Sequence, residues 1–131
     1  MFIDASALTA LLTDENDARE LLSRMQQVPI RVTSPLAVWE TVIAVARILD
    51  LEISEVAGAV ERYLTLMEIE TVSVPPETAV IALDAFARYG KGRHPAKLNF
   101  GDCFAYACAR HFGQPLMFKG GDFPQTDIEA A

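Results

Sequence analysis

The sequence predicts an α/β fold: one α/β/α sandwich around a parallel sheet of four to five strands, in the order 3-2-1-4. Three observations lead there. Short apolar stretches at residues 1–3, 30–33, 69–74 and 116–118 alternate with longer segments of helical periodicity. Strands separated in this way pair in parallel through right-handed crossovers, with the chain winding outward from strand one and returning to its other side. The length of 131 residues is enough for one core and short for two, so residues 1–131 are read as a single domain.

Met1, Phe2 and Ile3 form the first strand and run into Asp4. Residues 5–12 make a short helix. Thr13 reads as the cap of a second helix, with Asp14 and Glu15 complementing the dipole of its first turn, fading near Gln27 ahead of Pro29. Residues 30–33 are the second strand. Ser34-Pro35 pairs a capping residue with proline at the first helical position, which starts a helix running to about Leu49.

Ser54 reads as the next cap, followed by Val56, Val60, Leu64 and Met67 at helical spacing. The β-branched Thr71, Val72 and Val74 mark the third strand. Pro75-Pro76-Glu77 opens a helix that stops near Tyr89 at Gly90. Residues 90–100 form a loop, and residues 101–112 a helix closed by Gly113. After the fourth strand a Gly-Gly turn leads to Asp122, and Ile128 begins a short fifth strand.

Composition narrows the function classes. With 51% hydrophobic and 22% charged residues the chain is globular rather than disordered. A mean hydropathy of +0.21 points to some apolar surface covered by another subunit or a partner. The net charge of −7 argues against a broadly basic nucleic-acid surface. Yet residues 85–101 hold no acid and carry Arg88, Lys91, Arg93 and Lys97, with His94 among them. That segment is the candidate contact for a nucleic-acid backbone in an otherwise acidic chain.

Cys103 and Cys108, five apart on one helix, point to different faces and do not bridge. With only His94 and His111 besides, no zinc pattern exists. Lone thiols, three residues ahead of Asp4, and no apolar run near the ~20 residues of a membrane helix give the expectation of a cytoplasmic protein with no membrane association.

The chemistry rests on four acids: Asp4 after strand one, Glu40 early in the helix after strand two, Asp102 at a helix start, and Asp122 past strand four. Parallel sheets bind ligands beyond the carboxyl ends of their strands. Carboxylates gathered there raise one another's pKa unless a cation sits among them. All-oxygen donors suit a hard divalent ion such as Mg²⁺ or Mn²⁺. Each acid has a plainer role. Asp4 is also a helix cap, Glu40 part of a polar stripe with Thr41, Ala44 and Arg47, Asp102 a residue capping back to Asn99, and Asp122 a turn residue. Trp39 beside Glu40 is read as core. Asp127 is a fifth acid with a weaker claim.

With these residues in place the chain resembles the PIN-domain family, in particular VapC-type toxins of toxin–antitoxin pairs. The matching stretches are Phe2-Ile3-Asp4-Ala5-Ser6-Ala7-Leu8, Trp39-Glu40, and Leu98-Asn99-Phe100-Gly101-Asp102-Cys103-Phe104-Ala105-Tyr106-Ala107. Leu116-Met117-Phe118-Lys119-Gly120, Asp122-Phe123 and Thr126-Asp127-Ile128 complete them.

The resemblance implies an endoribonuclease toxin dependent on Mg²⁺ or Mn²⁺, restrained by a cognate VapB-like antitoxin and expected to be a homodimer. Its acidic quartet falls on Asp4, Glu40, Asp102 and Asp122, with Asp4, Asp102 and Asp122 as metal ligands. Ser6, Asn99, Thr126 and Asp127 are auxiliary polar candidates. Many relatives carry Asn or Asp where this chain has Gly121, which leaves the essential acid Asp122 in place but removes the side chain that would make an auxiliary contact from 121.

Two alternatives stand beside this reading. One is a PIN scaffold that binds RNA or protein without cleaving. The other is a receiver-type phosphoacceptor domain, which needs an acceptor Asp at the end of a central strand, where this chain has Val74-Pro75.

Overall fold

The computed structural model describes all 131 residues, Met1–Ala131. In chain order the elements are β1 (Phe2–Ile3), α1 (Ala5–Leu12), α2 (Ala18–Gln26), β2 (Val32–Thr33), α3 (Pro35–Leu49) and α4 (Ile53–Leu66). There follow β3 (Glu70–Thr71), α5 (Thr78–Tyr89), α6 (Phe100–His111), β4 (Leu116–Met117) and a 3-10 turn at Phe123–Gln125. The four strands form one sheet in the order β3-β2-β1-β4, every pairing parallel.

Alternation along each strand builds the layers, because successive side chains of a strand leave on opposite faces. Ile3 and Met117 enter a core with Leu8, Met25, Val42, Val45, Val60 and Leu64, contributed by α1 to α4. Phe2 and Leu116 enter the opposite core with Ala85, Leu98, Tyr106 and Cys108, from α5, α6 and the loop between them. Central strands covered on both faces are what an all-parallel sheet requires. Thr33 Oγ1 adds a 2.8 Å bond to the Ile3 carbonyl, fastening β2 to β1 just below the ends from which α1 and α3 depart.

Several boundaries differ from the sequence expectation. Thr13 closes α1 by donating to the Thr9 carbonyl at 2.7 Å, and Asp14 sits at φ 50°, a left-handed position that cannot start a helix. The second helix therefore begins at Ala18, with Glu20 as its first-turn acid. In α4 the cap position is Glu52, not Ser54, and the first turn has no side-chain capping bond.

Trp39 is 65% exposed, not core. The turn spacing of α3 explains it: Ala37, Thr41, Val42, Val45 and Ala46 take the inward stripe, and position 39 falls outside it. The fifth strand reduces to one parallel bridge, Leu116 to Ala130, because the chain touches β4 only there. Cys103 and Cys108 are both free and buried. No helix is long and apolar enough to cross a membrane.

Candidate active site

Asp4 leaves β1 and caps α1, its Oδ2 accepting from the Ser6 backbone N–H at 3.0 Å and from Ser6 Oγ at 2.5 Å. Ser6 Oγ in turn accepts the Lys119 N–H at 3.0 Å. One serine thus ties the exit of β1 to the exit of β4. Asp4 is 4% exposed. Burial pushes its carboxyl pKa up, and the bonds from Ser6 and Ala5 pull part of that shift back.

Ser34 caps α3 by accepting from the Ala37 N–H, and Pro35 begins the helix, which puts Glu40 in its second turn. The Glu40 pKa rises to about 7, from burial first and then from the charges of Asp4 and Asp102. Asp102 stands at the third position of α6 in a reciprocal cap. Its N–H donates to Asn99 Oδ1 at 2.9 Å, and its Oδ2 accepts the Asn99 N–H at 3.0 Å. Burial raises its pKa to about 6, opposed by the Asn99 bond and reinforced by Asp4 and Asp122.

Asp4, Glu40 and Asp102 line one cavity of about 430 Å³ beyond the carboxyl ends of the strands. Asp122 is exposed at the start of the 3-10 turn and outside that lining, yet close enough to Asp102 to act on its charge.

No three acidic, histidine or cysteine side chains converge tightly enough to enclose an ion unaided. The donor set nonetheless fits a hydrated hard cation. It is all carboxylate, its three lining members repel one another, and an ion such as Mg²⁺ keeps several waters while one or two carboxylates hold it.

The other sequence candidates divide. Ser6 and Asn99 touch the acids directly. Thr126 Oγ1 turns to its own loop, donating to the Phe123 carbonyl at 2.7 Å. Asp127 is the hub of a separate network, accepting from Tyr106 at 2.6 Å, Arg110 at 2.8 Å and Arg88 at 2.9 Å. The Tyr106 bond leads the forces that hold its pKa down to about 2, with Arg88 and Arg110 adding to it. Arg88 also pairs with Asp84 at 3.3 Å, so its charge is already engaged. Lys91, Arg93 and Lys97 line a second concavity of about 610 Å³ that holds no acid and shares no residue with the first.

The cavity also contains residues that the sequence reading did not single out. Arg47 lines it, seven positions beyond Glu40 on α3 and therefore on the same face, a signal the helical period carried. Lys119 lines it too, its Nζ gripped by Glu15 and lying 3.4 Å from Asp17. Outside that lining, Gly101 packs against the Glu40 carboxylate, a contact with no signature in local sequence.

Comparison with known proteins bears on family and fold. The family model described as PIN domain matches residues 1–129. "Ribonuclease VapC" of Mycolicibacterium smegmatis is 43% identical over 131 residues, covering 99% of this chain and 98% of that protein. "Ribonuclease VapC30" of Mycobacterium tuberculosis strain H37Rv is 41% identical over 129 residues, covering 98% and 95%. In fold the chain is similar to the crystal structure of Mycobacterium tuberculosis VapC20, described as a sarcin-ricin loop cleaving toxin. The TM-score is 0.75 at 18% identity, over 99% of this chain and 97% of that one. On sequence and fold together, this chain belongs to the PIN-domain family, alongside the VapC ribonucleases.

Proposed function

We propose that the chain, as one PIN-like domain, is an endoribonuclease toxin that hydrolyses RNA phosphodiesters with Mg²⁺ or Mn²⁺. One observation carries this reading: Asp4, Glu40 and Asp102, far apart in sequence, line one cavity past the strand ends. The VapC relatives, ribonucleases by name, support the substrate class. Membership of the PIN family sets the receiver alternative aside.

Asp4 and Asp102 would be the principal metal ligands, and Asp122 would complete the site directly or through water. Held by these acids, a divalent cation would supply Lewis-acid activation of water and charge neutralisation at the phosphate. Glu40, on the same cavity wall as the acids that would hold the metal, orients water there. Ser6 holds Asp4 Oδ2, and the Asn99 backbone holds Asp102 Oδ2, so each carboxylate is fixed through one oxygen. Arg47 offers its guanidinium to a phosphate of the strand. Lys91, Arg93 and Lys97 act as a second, outlying backbone contact.

The reading extends to partners. A VapB-like antitoxin and a second copy of the chain are the proposed protein partners, acting in the cytoplasm. Exposed Val80, Leu83 and Phe86 on α5, beside a wholly apolar groove with Phe100 and Phe104 of α6, support a protein-covered face. The test is brief expression with sequencing of new RNA ends, run against Asp4→Ala. Discrete new ends that appear only with the unmodified chain support the nuclease; identical ends in both contradict it.

A further inference from the structure

Glu40 faces two spaces. Besides the acidic cavity it lines a neighbouring hollow of about 210 Å³ together with Leu36, Trp39, Asn99, Phe100 and Gly101. Two large aromatic rings at this hollow lie open to solvent, Trp39 at 65% and Phe100 at 69% exposure. Exposed rings of this size leave apolar area in water that folding has not covered. Beside them stand the amide of Asn99 and the carboxylate of Glu40, groups suited to the polar edge of a ring rather than to an aliphatic surface.

We propose that this hollow is a nucleobase subsite: it receives one base of the RNA strand next to the phosphate at the acidic cavity, stacked on Trp39 and Phe100. This deepens the ribonuclease reading and rests on it. Aromatic platforms hold bases of single-stranded nucleic acid through their ring faces, with little dependence on sequence. The placement is economical. Glu40 is common to both spaces, so a strand whose phosphate enters one brings an adjacent base to the other. An acidic cup gains little from phosphate attraction, and stacking supplies affinity that charge withholds.

A protein segment is the competing occupant, and the surface separates the two. Phe100 lines both spaces, but the rest of the adjoining α5–α6 groove, Ala79, Leu83, Phe86 and Phe104 among others, is entirely apolar and suits a protein partner. The Trp39 hollow is mixed, and suits a base.

Trp39 is the single tryptophan of the chain, so its emission reports on this hollow alone. The full chain carrying Asp4→Asn, which leaves the hollow intact, is titrated with a ten-nucleotide single-stranded RNA. A matching abasic phosphodiester oligomer carries the same charge and no bases. Anisotropy of end-labelled RNA measures binding independently.

RNA is expected to quench Trp39 saturably and the abasic oligomer to leave it unchanged. Trp39→Ala and Phe100→Ala should each weaken RNA binding about tenfold, with the salt slope retained, while Trp39→Phe keeps most of the affinity. Bound RNA with silent Trp39 emission, or equal quenching by the abasic oligomer, overturns the subsite. So does Trp39 emission already shielded by a second copy before RNA is added. RNA cleavage by the unmodified chain is scored separately: if it cuts while Trp39 stays silent, only the subsite falls, and if it neither cuts nor binds, both readings fall.

Discussion

The Glu40 carboxylate occupies the space that a side chain at position 101 would need: a Cβ on Gly101 would lie 2.3 Å from Oε2 and 2.5 Å from Oε1. The glycine is what lets Glu40 close onto the first turn of α6, one residue from Asp102. It is the second residue of α6 and has no positive φ, so its backbone accepts Ala, which also has the higher helix propensity. Gly101→Ala should therefore hold or raise thermal stability while RNA cleavage drops by roughly tenfold or more as Glu40 is displaced. Adding Glu40→Asp, one methylene shorter, should not deepen the loss further. Paired melting and single-turnover cleavage measurements check this; loss of stability and activity together would mean simple misfolding.

Ser6 joins Asp4 to the backbone of Lys119 through one hydroxyl. In Ser6→Ala, Asp4 keeps only the backbone bonds and becomes still harder to ionise. Activity should fall by roughly 10- to 100-fold, as for other residues that orient metal ligands, and excess Mn²⁺ should restore part of it. A titration of cleavage rate against metal concentration reads the effect directly.

The metal-free protein should lose stability as pH rises. Glu40 titrates at about 7 in the fold against an ordinary value of 4.5, and Asp102 at about 6 against 3.8. A raised carboxyl pKa means that the folded state holds its proton more tightly than the unfolded chain. The stabilising term is fully present below about pH 4 and is gone once pH passes 7. Melting temperature in chelator should decline between pH 4 and 7, and Mg²⁺ or Mn²⁺ should restore it most strongly at the upper end, with proton release on binding. Glu40→Gln should flatten the decline.

Asp127 joins Tyr106, Arg88 and Arg110 in a network outside the lining of the acidic cavity. Asp127→Asn breaks its charge contacts with Arg88 and Arg110, and should lower stability only slightly because the pairs are exposed. Its pKa is depressed to about 2, so its contribution is present above about pH 4 and disappears as pH falls through 2. Urea unfolding at pH 7 and pH 2 should show the gap between variant and parent closing at the lower value, while cleavage per folded molecule at pH 7 stays unchanged.

Arg47 lines the acidic cavity and is exposed, whereas Lys119 in the same cavity is held by Glu15 and Asp17. Arg47→Ala should raise KM for RNA about tenfold with kcat nearly unchanged, and make the salt dependence shallower by close to one phosphate contact. Lys91→Ala should act more weakly, because its concavity lies apart from the acids.

Strand order was legible because short apolar runs between helices admit few parallel arrangements, and the 3-2-1-4 sheet brings Asp4 and Asp102 to one rim. What escaped depended on contacts through space. Asp14 adopts a left-handed backbone that Thr13-Asp14-Glu15 does not announce, since the same letters also spell a helix start. Trp39 looked like core by residue type, though the period of α3 turns it outward. Arg88 seemed free for RNA until folding brought Asp127 to it from thirty-nine residues away. Gly101 was unreadable, because its importance comes from a glutamate on another helix.

Cleavage of a labelled RNA by Asp102→Asn, with and without Mg²⁺ or Mn²⁺, puts the shared carboxylate centre to the most direct trial. The asparagine retains an oxygen that can accept the Asn99 N–H, so α6 keeps its cap and the variant should fold. The expected result is a folded, RNA-binding protein whose cleavage is lost at every metal concentration. Metal-dependent cutting at the parent rate by that folded variant would contradict the account.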